Sequence, residues 1–95
     1  MIEAIVLAGA LSATDLDEIC GNFGIAAKQT MMARQEGVPI STPMGLAGEN
    51  DLLRAMIRDA YNEPRYSGQN AKLRAIEDFQ SDIEAACYGA FENLR

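Results

Sequence analysis

The stretch LRAIEDFQSDIEAACYGAFENL, residues 73–94, decides the fold. Along it, a line of side chains, apolar except for one glutamine, recurs at alternating intervals of three and four residues. This is the periodicity of one face of an α-helix. The line consists of Leu73, Ile76, Gln80, Ile83, Cys87, Ala90 and Leu94, with Phe79 and Phe91 beside it. The sequence therefore predicts a long amphipathic helix here.

A stripe of the same kind predicts a second long helix upstream. The stripe consists of Leu16, Ile19, Cys20, Phe23, Ala27, Thr30, Met31 and Arg34. Thr14 has a side chain suited to the N-cap, and Asp17 stands three residues later at the capping-box position. Gly37 and Pro39 are predicted to end this helix, because glycine favours a left-handed turn after a helix and proline commonly follows such a turn.

A short helix is predicted between the long ones. Residues 38–50 contain two prolines and two glycines, which are the residues of loops and turns. Within them, Ser41 or Thr42 followed by Pro43 fits the start of a short helix, because proline is favoured in the first turn.

Asn50 is a suitable N-cap for a further helix. The predicted buried face of this helix consists of Leu52, Leu53, Met56, Ile57, Ala60 and Tyr61. It is expected to stop near Asn62, because Pro64 disfavours helical geometry in the residue before it. Ser67 is predicted to cap the last helix.

No stretch shows the alternation of a β-strand, so the predicted fold class is all-α, a small bundle of about four helices of which two are long. Residues 14–95 are expected to form a single helical domain. The stripe that runs to Leu94 suits burial within one bundle or a helix-paired homodimer. We favour the homodimer, because the short elements are too small to cover both long stripes.

Residues 1–13 have two interpretations, a degenerate secretory signal or a short first helix packed on the domain. Residues 4–13, AIVLAGALSA, are uncharged and match the apolar region and cleavage zone of a signal. Only Met1, Ile2 and Glu3 precede them, so the basic leading segment is missing. Ten residues extend about 15 Å as a helix, half the thickness of a bilayer, and we expect no stable membrane insertion.

Composition excludes several classes of function. Eight lysines and arginines stand against 14 aspartates and glutamates, a formal net charge of −6 that disfavours nucleic-acid binding. Histidine is absent, which removes the usual general base and the commonest metal ligand. We therefore expect no enzyme, no metal and no cofactor, and a protein as partner. Carboxylates off the stripe of the last helix suit a solvated face or a patch for a basic partner: Glu77, Asp78, Asp82 and Glu84.

The two cysteines, Cys20 and Cys87, each fall on the apolar stripe of a long helix. Neither belongs to a CxxC pair, and without histidine a zinc site is discounted. Two states remain open, a disulfide or two buried free thiols. An oxidising compartment favours the disulfide, and a cytosol favours the thiols.

Four side chains are candidates for binding a partner: Arg54, Arg58, Arg65 and Tyr66. Arg54 and Arg58 stand one helical turn apart, a spacing that suits an anion-binding pair or ordinary surface ion pairs with acids such as Asp51. Arg65 and Tyr66 lie in the stretch NEPRYS before the last helix. Both are residue types that anchor interfaces, although the same stretch suits a purely structural turn.

Several short blocks follow one another in a characteristic order. They are a first-helix cysteine, MMARQEGVP at 31–39, AY at 60–61, PRYS at 64–67 and EAACY at 84–88. Between Cys20 and Phe91 the chain thereby resembles a group of small uncharacterised proteins of proteobacteria and their phages and prophages, usually made with a signal peptide. The resemblance implies an exported helical domain in which Cys20 and Cys87 pair. The chain departs from the group in its missing basic segment, and the group lends no catalytic residues.

Three functions are compatible with these features. We favour a small non-enzymatic module, periplasmic or otherwise exported and stapled by a disulfide, that binds another protein as an inhibitor or immunity-type factor. The alternative is a cytoplasmic, phage-type regulator that binds a basic site on a host protein. The third hypothesis is an enzyme or small-ligand carrier that uses Arg54 and Arg58.

Overall fold

The computed structural model describes residues 12–92, and its regular elements in that range are all α-helices. They are α1 (Ala13–Gln35), α2 (Ser41–Ala47), α3 (Asp51–Asn62) and α4 (Gln69–Glu92). The predicted all-α bundle of four helices, two of them long, is confirmed. Residues 1–11 and Leu94 lie outside the described residues, so the interpretation of the apolar first segment stays a prediction.

The two long helices lie antiparallel and are joined by a disulfide. Cys20 of α1 is bonded to Cys87 of α4, and their Cα atoms are 5.5 Å apart. Both cysteines are buried and form a cluster with Leu16, against which Phe23 and Phe91 pack. Of the two states that the sequence left open, the structure has the disulfide.

The main core lies further along the same pair of helices, where α3 packs on α1. Its buried side chains are Ala27, Met31, Met56, Ala60 and Phe79. Burying a large apolar side chain such as methionine or phenylalanine contributes about 1.5–3 kcal/mol, so this cluster is a main source of stability. α2 packs on α3, and none of its own residues is buried.

The start of α1 differs from the prediction. Ser12 is the N-cap, and its hydroxyl accepts a hydrogen bond from the Asp15 amide at 3.1 Å. The Ser12 carbonyl also accepts from the Leu16 amide at 3.0 Å, which begins the helical ladder. The predicted cap, Thr14, therefore lies inside the first turn. Both residues are good caps, and the earlier one adds a stretch of helix before the buried Leu16.

The ends of the other helices are close to the predicted positions. Asn50 caps α3 as predicted, because its Oδ1 accepts a hydrogen bond from the Leu53 amide at 3.0 Å. α4 begins at Gln69, so the predicted cap at Ser67 is displaced, and it is the Gly68 carbonyl that accepts the first helical hydrogen bond. α2 begins at Ser41, within the predicted range.

The end of α1 is a glycine turn, as predicted. Gly37 has a φ of 81°, in the left-handed region. Its amide donates to the Arg34 carbonyl at 3.1 Å, and the Val38 amide donates to the Ala33 carbonyl at 2.9 Å. This pair of hydrogen bonds is the Schellman motif, which satisfies the last carbonyls of a helix and turns the chain away.

The predicted helix stripes are only partly buried. Leu52 of α3 is 55% exposed and Leu73 of α4 is 47% exposed, whereas Phe79, beside the stripe, is buried. The Cα atoms extend over 53 × 26 × 15 Å, a depth of two helix layers. With 12 residues, α3 is half as long as α4, with 24, and it leaves part of the long pair uncovered.

Candidate functional site

An open groove runs between α3 and α4, with α1 beneath it. At the disulfide end it has a volume of about 280 Å³ and mostly apolar walls. Its apolar lining includes Phe23, Leu52, Ile83, Ala86, Ala90 and Phe91. Because the side chains of the alanines are short, they do not fill the space between the two helices.

Carboxylates line the groove toward its other end, where a second hollow of about 240 Å³ lies beside the turn that joins α3 to α4. Glu63 stands on the α3 side of this hollow and Asp78 and Asp82 stand on α4, whereas Asp59 of α3 lines the apolar hollow. Arg74 is the one cationic side chain among the described residues that line the groove. One end of the groove is thus apolar and the other is acidic.

Gln35 fixes the turn at the acidic end. This last residue of α1 is only 1% exposed. Its Nε2 donates to the Pro64 carbonyl at 2.9 Å, and its Oε1 accepts from the Tyr66 amide at 2.8 Å. Its backbone carbonyl accepts from Nζ of Lys72 at 2.8 Å. One residue therefore connects the end of α1, the turn after α3 and the first part of α4.

Arg34 and Tyr61 fasten the same turn from the other side. Arg34 Nε donates to the Glu63 carbonyl at 2.8 Å, and the guanidinium carbon lies 5.5 Å from the centre of the Tyr61 ring, a cation–π contact. The Tyr61 hydroxyl donates to the Val38 carbonyl at 2.8 Å. Burial raises the pKa of Tyr61, against a smaller opposing effect of Arg34. The sequence blocks MMARQEGVP, AY and PRYS thus meet in space.

Arg65 and Tyr66, two of the predicted partner-binding residues, belong to this turn. Arg65 Nε donates to the Gln35 carbonyl at 3.4 Å, and its guanidinium lies against Gly37. Tyr66 is held through its backbone amide, while its side chain is 37% exposed and lines the acidic end of the groove. Arg65 therefore has a structural contact, and Tyr66 presents its ring to the groove.

Arg54 and Arg58, the other two predicted residues, lie elsewhere on α3. Arg54 Nη1 donates to the Gly48 carbonyl at 3.0 Å and to the Met44 carbonyl at 3.4 Å, which satisfies the C-terminal end of α2. Arg58 is exposed. The structure does not bring the four candidates together, because Arg54 binds α2 and Arg65 binds the end of α1. The anion-binding pair gains no support, since Arg54 is directed to backbone carbonyls.

We expect Gly37→Ala to lower the free energy of unfolding by about 1.5 kcal/mol, because a left-handed residue with a Cβ is strained. A Cβ at this position would also lie 2.9 Å from the Arg65 guanidinium carbon. Chemical denaturation measures the change. Gly21→Ala is the matched control, because Gly21 lies inside α1 and its added methyl group would meet no atom within 4 Å, so stability should be unchanged or raised. Equal stability of both variants would contradict the strained turn.

A hydrogen bond also joins the long helices beyond the disulfide. The Tyr88 hydroxyl donates to Oδ1 of Asp17 at 2.7 Å. This hydrogen bond raises the pKa of Tyr88 above its ordinary value of 10.0, with smaller contributions from desolvation and from the nearby carboxylates of Asp17, Glu84 and Glu92. The raised pKa means that the contact stabilises the fold fully below pH 10 and is lost as pH rises through the folded-state value.

Replacing the acceptor, Asp17→Asn, is expected to lower the pKa of Tyr88 toward 10, because the phenolate no longer loses a hydrogen bond to a carboxylate when it forms. Ultraviolet absorbance titration of the tyrosines measures the shift, with Tyr88→Phe identifying the transition. Asp15→Asn removes an equal charge from the same helical turn and should leave the titration unchanged. The same titration curve for both asparagine variants would refute the contact.

Sequence reasoning missed Gln35 and the groove. Gln35 follows Ala27 and Met31 at intervals of four residues, so it continues the buried stripe of α1, and this spacing was the available signal. Because glutamine is polar, it was not expected to be buried. The groove has no such signal, because it depends on where α3 begins relative to α4.

Comparisons with known proteins do not extend this description. No protein-family model, curated protein or solved structure matched the chain. Within residues 12–92, no group of three or more histidine, cysteine, aspartate or glutamate side chains is arranged to hold a metal ion. None of the helices described is both long enough and apolar enough to cross a membrane. The features that bear on function are therefore the groove, the disulfide and the charges.

Proposed function

We propose that this protein is a non-enzymatic, exported module that binds another protein through the groove between α3 and α4, as an inhibitor or immunity-type factor. The observation that carries the proposal is the groove itself. Leu52, 55% exposed, and the alanines of α4 leave an apolar surface open between two helices. Such a surface between helices is a common way to receive a segment of a partner protein.

The disulfide supports an oxidising compartment. Disulfides persist in secreted and periplasmic proteins and are rare in the cytosol. Here the bond joins α1 to α4 directly beside the groove, since Cys87 itself lines it. A wall fixed in this way is organised before binding, which lowers the entropic cost of forming a complex.

The absence of histidine from the sequence supports a binding function over an enzymatic one. A serine or cysteine nucleophile is usually activated by histidine, and both cysteines are in the disulfide. The resemblance to exported proteins of proteobacteria and their phages belongs to the same proposal and agrees with a disulfide-bonded helical domain.

A cytoplasmic, phage-type regulator is the second candidate. The observation that favours it is the set of carboxylates at the acidic end of the groove, namely Glu63, Asp78 and Asp82. These suit a basic site on a host protein. The two candidates differ in compartment and in the state of the cysteines, and they share the prediction that the groove is the binding surface.

Site-specific cross-linking in the native host tests the proposal. A photo-crosslinking amino acid replaces Ala86, which lines the groove, or Ala85, its exposed neighbour outside the groove lining. We expect position 86 to cross-link to a defined envelope protein and position 85 not to do so. The captured protein is then purified and must bind the unmodified module in a one-to-one complex.

Two results would overturn the proposal. Cross-linking of equal strength from positions 85 and 86 would show that the groove is not the binding surface. A captured protein that fails to bind the purified module would show that the cross-link reports only proximity in the cell.

A further inference from the structure

We infer that the occupant of the groove is an amphipathic helix that carries basic side chains beside its apolar face. The inference rests on the proposed function and names the chemistry of the partner. It follows from the shape of the groove, from the division of its lining into an apolar and an acidic part, and from the charge of the whole chain.

The shape of the groove favours a helix. Its two walls are antiparallel helices, and the lining residues of the shorter wall, on the α3 side, extend from Leu52 to Glu63. At 1.5 Å per residue this length is about 17 Å, or about three helical turns. A helix bound between α3 and α4 would pack its side-chain ridges between the ridges of these two helices. It would also complete the layer that α3 covers only in part.

The charges favour a basic helix. Glu63 on one wall and Asp78 and Asp82 on the other line the acidic end, and Asp59 lines the apolar hollow beside it. Arg74 is the one cationic side chain among the described lining residues. Lysine or arginine on the flanks of a bound helix would pair with these carboxylates while leucine-like side chains fill the apolar end. Complementary charge of this kind gives specificity and speeds association.

The same charges disfavour the other occupants. A fatty acid with its chain in the apolar end would place its carboxylate beside the three carboxylates of the acidic end, where repulsion opposes it. A second copy of this chain would bring its net charge of −6 to the acidic groove, so its insertion there is opposed by repulsion.

The first test uses a synthetic peptide of about 14 residues, with leucine at three- and four-residue intervals and lysine elsewhere, long enough to span the groove as a helix. Binding to the oxidised full-length protein is measured by fluorescence anisotropy. We expect saturable one-to-one binding by this peptide. A scrambled peptide of the same composition, and a peptide with glutamate in place of every lysine, are expected to bind at least about tenfold more weakly.

Matched variants of the protein place the peptide in the groove. Ala86→Arg puts a large cation on the lining and should weaken binding about tenfold. Ala85→Arg makes the same change of charge outside the lining and should change affinity by less than about twofold. Asp59→Asn with Asp82→Asn should weaken binding about fivefold and reduce its salt dependence, because exposed ion pairs contribute modestly. Asp15→Asn with Glu18→Gln, outside the groove, should have no effect.

Several outcomes would overturn the inference. Equal binding of the lysine and glutamate peptides would show that charge does not determine binding. Equal binding of the scrambled peptide would show that the helical arrangement of its leucines does not determine binding. Equal effects of Ala85→Arg and Ala86→Arg would place the peptide elsewhere. Dimerisation of the free protein that Ala86→Arg abolishes would make a second copy the occupant. Nuclear Overhauser contacts between Ala86 and residues 1–11 would make this chain's own first residues the occupant.

The two proposals fail separately. A partner cross-linked at position 86 by a segment that is neither helical nor basic would leave the proposed function standing and refute the inference. Peptide binding in the groove without any partner cross-linked in the host would refute the proposed function and leave the chemistry of the groove intact.

Discussion

Replacing both cysteines, Cys20→Ala with Cys87→Ala, is expected to lower the free energy of unfolding by about 4 kcal/mol. The bonded residues are separated by 67 positions, so the disulfide closes a loop that includes most of the chain. Without it, the unfolded chain regains the conformational freedom that the bond removes. A domain of this size has a total stability of about 5–15 kcal/mol, so the loss is a large share of it.

Urea unfolding followed by circular dichroism measures this loss, and reductant provides the control. Reduction of the natural protein should produce the same fall in stability, whereas the double variant should not respond to reductant. A double variant as stable as the oxidised protein would mean that the helices hold together without the bond. The frame of the groove would then not depend on the disulfide.

The second large effect is expected from Gln35→Leu, which should lower the free energy of unfolding by about 3 kcal/mol. Leucine fills a similar volume but leaves the Pro64 carbonyl and the Tyr66 amide without their partner. A buried or half-buried polar group that loses its hydrogen bond costs about 1–3 kcal/mol. The turn between α3 and α4 should loosen, and with it the acidic end of the groove.

Gln29→Leu is the matched control, because this glutamine lies on the same helix and is exposed. Its substitution should change stability by less than about 0.5 kcal/mol. Hydrogen exchange provides an independent measurement, since the amide of Tyr66 should exchange faster in Gln35→Leu. Unchanged exchange and stability would show that Gln35 is not the residue that fixes the turn.

The helices could be predicted from sequence because their signals are local. The stripe of α4, the cap at Asn50 and the turn at Gly37 each depend on neighbouring residues. What local patterns do not give is the rotation of each helix against the others. Leu73 belongs to the stripe yet is 47% exposed, whereas Phe79 beside the stripe is buried in the main core with Met56 and Ala60 of α3.

The candidate site was less predictable for a related reason. Arg54 and Arg65 are conspicuous in sequence, but the structure directs each to backbone carbonyls at an end of a helix or in a turn. Gln35 is inconspicuous and has the central structural role. The groove belongs to no single motif, since its walls come from two helices whose relative positions are set by the core.

The expected homodimer would use the faces that the bundle leaves open, and these include Leu52 in the groove and Ile25 and Leu73 elsewhere. If the groove receives a partner helix as proposed, a homodimer would have to use the other faces. Sedimentation of the natural protein and of Ala86→Arg distinguishes the two arrangements. A dimer that uses the groove should be lost in Ala86→Arg, and a dimer that uses the other faces should be kept.

The most direct test of the account is the intact mass of the protein recovered from fractionated cells of its native host, with and without reductant. We predict a periplasmic or secreted species that is lighter by two hydrogen atoms before reduction, as expected when Cys20 and Cys87 are bonded. A species found in the cytosol with both thiols free would contradict it.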